Sequence, residues 1–178
     1  MVTIHSTNLT PVVIGASFRS SSMELRDYLF VEDEATPRFL RKLKKLGMRT
    51  AIILSTCDRV EVQGLHQDLK IATEAIYKCF QCHSNVGVTD LQEQCYNLEG
   101  DTAIRHMFRV AASLESQIIG EPQVLGQVKA AHKLSKKLGM IDNSFEAILQ
   151  ACYGAAKRVR SETLIGSQAV SIASAALQ

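Results

Sequence analysis

Thr50-Ala-Ile-Ile-Leu-Ser-Thr-Cys-Asp-Arg-Val-Glu-Val-Gln-Gly-Leu65 carries two short apolar runs on either side of a polar break, and the reading of that break decides the fold. Each run is too short for a buried helix and rich in aliphatic or β-branched residues, so the stretch is predicted to be two strands, 50–54 and 60–65, joined by a turn. Cys57 then sits at a strand end and not inside a core. A free thiol titrates near pH ~8.5, and a cation two residues away, Arg59, favours the reactive anion. Thr56 and the turn backbone add donors of the kind that hold a developing oxyanion. A second reading stands beside this one: cysteine is among the most buried residue types, which would make Cys57 a small hydrophobe and Arg59 a solvated strand residue. Spacing alone leaves both open.

Outward from this pair, Pro11-Val-Val-Ile-Gly-Ala16 reads as a first strand closed by a serine-rich loop. Ser21-Ser-Met-Glu24 has capping-box spacing and predicts a short helix through Tyr28. Glu32-Asp33-Glu34 opens a longer helix to Leu46, with Lys44 and Lys45 at its end, an arrangement that suits the helix dipole. A helix over 68–80 follows from the spacing of Leu69, Ala72, Ile76 and Phe80, and 94–98 is a candidate last strand. The order β-α-β-β-α-β is that of a ferredoxin-like split βαβ sheet in the α+β class, with helices on one face. From Asp101 onward the chain reads as entirely helical and able to cover the other face. Helices are expected over 101–112, from Glu121-Pro122 to Gly139, and from Asn143-x-x-Glu146 onward. Phe145, Ile148, Leu149, Cys152, Ala156 and Val159 form one apolar seam on the last of these. A small-residue helix at 169–177 stops without a cap, from which an N-terminal piece of something longer is expected.

With 178 residues, 46% hydrophobic and 21% charged, the chain has material for one or two small globular units and no disorder signature. A net charge of +2 is too small to mark a nucleic-acid binder by itself, so any basic surface must be local. Five cysteines at irregular spacing, with no secretory leader pattern at the start, point to reduced cytoplasmic thiols and not to a disulfide frame. No apolar run approaches the ~18–20 residues of a membrane span.

Several motifs compete with Cys57. Cys79-x-x-Cys82-His83 has c-type haem spacing but lacks the exporting signal that chemistry needs, and Cys79, Cys82, His83 and Cys95 lack the second close pair of a zinc site. Lys129, Lys133 and Lys136 step along one helix face, and Lys157, Arg158 and Arg160 cluster on the next; such stripes track a phosphate backbone or are simply solvated. The strands lack the aromatic residues of an RNA-stacking sheet. His106 is a candidate proton shuttle for Cys57, or a structural helix residue. Neither glycine-rich nucleotide-binding loop occurs in the chain. A redox-sensing role for Cys57 lacks a resolving cysteine nearby in sequence.

Taken together, Val12-Val-Ile-Gly15 with Glu24-Leu-Arg26, Ser55-Thr-Cys-Asp-Arg59 with Glu61, His106-Met-Phe-Arg109, Lys157-Arg-Val-Arg-Ser-Glu-Thr163 and the long Ser113-Leu-Glu-Ser-Gln-Ile-Ile-Gly-Glu-Pro-Gln-Val-Leu-Gly-Gln-Val-Lys129 resemble the N-terminal part of glutamyl-tRNA reductase. The resemblance implies that Cys57 attacks the ester joining glutamate to its tRNA, and that NADPH then reduces the thioester to glutamate-1-semialdehyde for tetrapyrrole synthesis. It implies catalytic roles for Cys57 and His106, and substrate contacts for Thr56, Asp58, Arg59, Ser116, Glu121, Pro122, Gln123 and Gln127. Arg59 would meet the substrate's side-chain carboxylate. It further implies a homodimer in the full-length protein, glutamate-1-semialdehyde aminomutase as a downstream partner, no membrane association, and an NADPH-binding domain outside this chain. Residues 1–141 would form the catalytic domain, 142–165 a connecting spinal helix, and 166–178 the start of the nucleotide domain. The chain departs from the family in having Asp58 where asparagine is usual, an anion expected to oppose thiolate formation and compete for Arg59. A catalytically silent relative that binds tRNA or a partner is the alternative this departure leaves.

Overall fold

Alternation along the central strands gives the two faces of one sheet different chemistries. In the computed structural model, which describes residues 9–166, β1 (Thr10–Ser17), β2 (Thr50–Ser55), β3 (Arg59–His66) and β4 (Tyr96–Glu99) form a four-stranded antiparallel sheet in the order β2-β3-β1-β4. β1 pairs with both β3 and β4, while β2 pairs with β3. The helix expected at 169–177 lies outside the described residues.

On one face Val12, Ile14, Ala16, Ile53, Val60 and Val62 pack beneath four helices of the first half. These are α1 (Met23–Leu29), α2 (Thr36–Lys45), α3 (Leu69–Ser84) and α4 (Val88–Gln94). They contribute Leu29, Phe39, Leu43, Ile76, Phe80 and Leu91. On the other face Val13, Ile52, Leu54 and Leu65 meet α5 (Gly100–Ala111), α6 (Gln123–Lys137) and α7 (Asn143–Glu162). Met107, Val110, Val128, Phe145, Leu149 and Cys152 come from those helices, so the helical second half covers the face the first half leaves open. The predicted seam on α7 is the side that packs: Phe145, Leu149, Cys152 and Ala156 are buried.

Local chemistry shifts several boundaries. Ser22, not Ser21, caps α1, its Oγ accepting from Leu25 N at 3.1 Å while Ser21 Oγ donates to the Ser17 carbonyl. Glu32-Asp33-Glu34 does not open α2. The Ala35 and Thr36 amides both donate to the Glu32 carbonyl in a turn, Pro37 occupies the first turn of the helix where its missing N–H costs nothing, and the three carboxylates stay outside. Asp142 caps α7 by accepting from Phe145 N at 2.8 Å. α4 was not foreseen because Leu91 is its one buried residue, which leaves no apolar period to detect. It also displaces β4: Cys95 N still closes the last turn of α4 on the Leu91 carbonyl, so the strand starts at Tyr96 and not at 94.

The feature that positions the site is a polar row on the covered face. Arg59, Glu61 and Gln63 alternate along β3 with Val60 and Val62 and are all buried. Across the sheet Glu61 pairs with Gly15, and Gly15 pairs with Tyr96. A side chain at position 15 would fill the space through which Glu61 reaches Tyr96: its Cβ would stand 2.4 Å from Glu61 Cβ.

Candidate functional site

The turn between β2 and β3 is built by Thr56. Its Oγ1 accepts from the Asp58 and Arg59 amides at 3.3 and 3.2 Å, and its own amide donates to the Arg59 carbonyl at 2.8 Å. This hydroxyl-capped turn holds Cys57 at the tip, exposed, while Asp58 and Arg59 on either side of the strand start are buried. Cys57 is thus no core residue.

A loop spanning 112–122 closes over the turn. Ser113 takes a left-handed φ of 59°, its carbonyl accepts from Gly120 N at 3.0 Å, and its Oγ donates to the Glu121 carbonyl at 2.7 Å. Gly120, at φ 86°, passes so close to Ile165 that a Cβ would lie 2.5 Å from that residue's carbonyl oxygen. Five contacts to charged side chains pin the loop. Arg59 Nη2 donates to the Glu115 carbonyl, Glu115 pairs with Arg19 and Arg109, and the Asp58 carboxylate accepts from Gln117 N at 3.0 Å and Gln117 Nε2 at 2.9 Å. Asp58 therefore latches the loop and does not compete for Arg59, contrary to the expectation from its charge.

Between turn and loop lies a small cavity of about 30 Å³. The turn supplies Thr56, Cys57, Asp58 and Arg59, the loop supplies Ser116 and Glu121, and the first two turns of α6 supply Gln123 and Gln127. Pro122 is outside the lining and caps α6. Arg59 Nη1 and Ser116 Oγ are buried without a hydrogen-bond partner among the described residues, and both residues line this cavity. An unpaired buried donor costs roughly 1–3 kcal/mol, a cost that a ligand oxygen would remove. Cys57, Thr56, Leu54 and Gln127 also line a second, larger groove of about 790 Å³, so the thiol stands where the two meet.

The thiol itself is not activated as expected. Burial pushes the Cys57 pKa up, and the charges of Asp58 and Glu121 push it further in the same direction, while local backbone hydrogen bonds work against them. The Arg59 guanidinium is engaged elsewhere, donating to the Glu115 carbonyl and lying 3.8 Å from Glu61. His106 is also engaged: its Nε2 is 2.7 Å from Glu61 Oε2, and it lies outside the lining of the Cys57 cavity. Tyr96 OH donates to the same Glu61 oxygen, and Gln63 Nε2 donates to Glu61 Oε1 at 2.6 Å.

The family profile described as "Glutamyl-tRNAGlu reductase, N-terminal domain" matches residues 14–163. The chain belongs to the glutamyl-tRNA reductase family. It is 40% identical over 167 residues to a glutamyl-tRNA reductase of Rhodospirillum rubrum, covering 94% of this chain and 39% of the relative. A glutamyl-tRNA reductase of Solibacter usitatus is 38% identical over 168 residues, covering 94% of this chain and 40% of the relative. The solved structure of glutamyl-tRNA reductase from Methanopyrus kandleri superposes with a TM-score of 0.72 at 29% identity, covering 94% of this chain and 38% of that one. The chain thus spans about two-fifths of the length of these glutamyl-tRNA reductases.

The sequence reading gave no role to Glu61, Gln63, Tyr96 or Gln117. Arg59, Glu61 and Gln63 at period two read as the solvent face of a strand, and the sign of that face reverses only when α5 packs over it. Glu61 is fully buried, which raises its carboxyl, yet the charge and hydrogen bond of His106, the Arg59 charge and the Tyr96 hydroxyl outweigh burial and hold it at about 2. A pKa below the ordinary 4.5 means that Glu61 adds stability in full above pH 4.5 and loses it as pH falls toward about 2. Urea unfolding at about pH 3 and about pH 6 is expected to show a lower midpoint in acid, and Glu61→Gln to lose that part of the difference. Glu146, held at about 2 by hydrogen bonds from Lys136 and Gln150, titrates in the same window, so the comparison of the two proteins isolates Glu61. An identical acid slope in Glu61→Gln would exclude the assignment.

Proposed function

We propose that this chain performs the acyl-transfer half of glutamyl-tRNA reduction. The observation that carries the reading is that Arg59 and Ser116, whose buried Nη1 and Oγ make no hydrogen bond among the described residues, line a cavity that the exposed thiol of Cys57 also lines. The cavity has the room of roughly one water molecule, so it takes a carboxylate head, and the rest of a glutamyl group lies toward the exposed Gln123 and Gln127. Arg59 binds the side-chain carboxylate by a charge-assisted bond, and Ser116, Gln123 and Gln127 orient the amino group and carbonyl.

Cys57 Sγ, once deprotonated, attacks the ester carbonyl carbon. The carbon–sulfur bond forms, the ester carbon–oxygen bond breaks, and the terminal ribose oxygen leaves with its electron pair and takes up a proton. The Thr56-capped turn presents amides to the developing oxyanion. His106 acts at a distance: with Glu61 and Tyr96 it stiffens the floor beneath Arg59. Reduction of the thioester to glutamate-1-semialdehyde takes a hydride from NADPH. The residues here do not suit that dinucleotide, because the groove beside Cys57 is rimmed by Glu32, Asp33 and Glu34, which repel phosphate. We assign the hydride donor, and homodimerisation, to the three-fifths of the relatives that this chain does not match, and read 1–141 as the catalytic domain, 142–165 as the connecting helix and 166–178 as the start of a nucleotide domain. The strand order β2-β3-β1-β4 supports a ferredoxin-like reading of the sheet, enlarged by α4. Five free cysteines support a cytoplasmic setting, no described helix is long and apolar enough to cross a membrane, and an aminomutase that consumes the aldehyde is the partner to seek.

A second reading, a silent relative that only binds tRNA or a partner, is favoured by one observation, the upward push of Asp58 on the thiol. Asp58→Asn separates the two. Removing the charge is expected to raise the alkylation rate of Cys57 by iodoacetamide near neutral pH several-fold, since a lower pKa exposes more thiolate. A faster thiol with equally faster release of tRNA from glutamyl-tRNA supports catalysis; a faster thiol with no acyl transfer in either protein supports the silent relative.

A further inference from the structure

Arg59 and Ser116 are each 2% exposed, and the cavity they line has the room of about one water molecule. A carboxylate on a longer chain reaches Arg59 Nη1 only when one wall gives way. The turn is fastened by Thr56 and continuous with two strands, and α6 is anchored by buried Val124 and Val128. The 112–122 loop is the wall that remains, and it divides into a fixed neck and a lightly held tip. At the neck, Leu114 N donates to the Arg109 carbonyl at 2.8 Å, Gly120 N donates to the Ser113 carbonyl at 3.0 Å, and Gly120 lies against Ile165. At the tip, residues 115–117 make no backbone-to-backbone hydrogen bond among the described residues. Glu115 pairs with Arg19 and Arg109, both about half exposed, and ion pairs of that kind hold weakly. The Asp58 carboxylate holds harder. It is 5% exposed and accepts two charge-assisted bonds from one residue of the tip, Gln117 N at 3.0 Å and Gln117 Nε2 at 2.9 Å.

We infer that Asp58 and Gln117 are positioning residues: together they latch the 115–117 tip as a lid, and so set Ser116 over the carboxylate that Arg59 binds. The inference rests on the proposed acyl transfer, because it needs a carboxylate in this cavity. With the tip raised, Arg59 Nη1 is open to the incoming group. With it lowered, one carboxylate oxygen takes Nη1 and the other takes Ser116 Oγ, the two groups left without partners, while Arg59 Nη2 keeps the Glu115 carbonyl. Bound substrate thus bridges turn and tip and holds the lid itself. The latch supplies the closed population beforehand, so it governs apparent affinity and not the turnover of the bound complex. Asparagine at position 58 offers one acceptor oxygen where the carboxylate offers two. The carboxylate also raises the Cys57 pKa, so Asp58 gives up thiol acidity in return for closure. The gain that Asp58→Asn brings to the thiol therefore shows in tRNA release at saturating glutamyl-tRNA.

The test uses the 178-residue chain and reads amide hydrogen exchange over residues 114–119 beside the release of tRNA. Gln117 is exposed, so its replacement empties no core. Gln117→Glu keeps the shape but sets carboxylate against carboxylate, and is expected to speed exchange at the tip at least about tenfold, with Gln117→Leu in between. Asp58→Asn combined with Gln117→Glu reverses donor and acceptor, and is expected to bring exchange back to within about threefold of the native chain. A side chain that only filled space would show neither effect. Gln117→Glu is also expected to raise KM for glutamyl-tRNA about fivefold with kcat within about twofold, and the double variant to restore KM. The α-amide of L-glutamate, which keeps the side-chain carboxylate and has no ester to react, should slow exchange at the tip, and the α-amide of L-glutamine should not. Native exchange in Gln117→Glu, no rescue in the double variant, or equal exchange with the two amides overturns the inference. Exchange is read without any acyl transfer, so the latch and the proposed reaction fail separately.

Discussion

Changing Cys57 to Ser is expected to lower release of tRNA from glutamyl-tRNA at least about a thousandfold, with the unfolding free energy unchanged within about 0.5 kcal/mol. The two expectations come from the same geometry. Cys57 is exposed at the tip of the turn and its thiol makes a weak contact to Asp58 Oδ1 at 3.9 Å beside local backbone hydrogen bonds that a serine hydroxyl can also make, so little stability is lost with it. A serine hydroxyl there lacks the acidity of a thiol, and His106, the histidine the sequence offered as its base, is bound to Glu61. Acid-precipitable glutamyl-tRNA followed with time measures the first quantity, and urea denaturation the second. A Ser variant that keeps a tenth or more of the native rate would place the chemistry elsewhere in the cavity.

The second large effect is on the fold. Gly15→Ala is expected to cost roughly 3 kcal/mol or more, because its Cβ would stand 2.4 Å from the Val60 carbonyl oxygen and 2.5 Å from Glu61 Cα. Those are backbone neighbours, and an unbroken register from Thr10 opposite His66 to Ser17 opposite Arg59 leaves β3 no room to withdraw. The strain falls on Glu61, and through it on Arg59, so the surviving folded fraction should also bind glutamyl-tRNA less well. Gly154→Ala is the control. It lies in α7 with nothing within 4 Å of its would-be Cβ, so the same substitution there is expected to stabilise by about 0.5–1 kcal/mol. Equal effects at the two positions would show that crowding at Gly15 is not the cause.

These outcomes separate what periodicity shows from what it hides. β1, β2 and β3 were legible as short aliphatic runs buried on both faces, and the long helices because each buries one apolar stripe that leaves a period in the sequence. The thiol turn was legible too, since Ser55 to Arg59 interrupts two apolar runs. α4 was not, with Leu91 as its sole buried anchor, nor was the fate of Glu32-Asp33-Glu34, which a turn at Ala35 keeps out of α2 and leaves on the groove rim.

The sequence by itself determined which residue types gather at the site, down to the turn and the loop that carry them. Tertiary structure alone decided their pairing. Arg59 faces Glu61 and Glu115 and not the thiol, Asp58 fastens Gln117, and His106 serves a carboxylate buried under α5. The physical reason is that sequence spacing sets how near two groups can come but not which way they point: packing under α5 turns the Arg59 guanidinium toward Glu61 and Glu115, whatever its two-residue separation from the thiol.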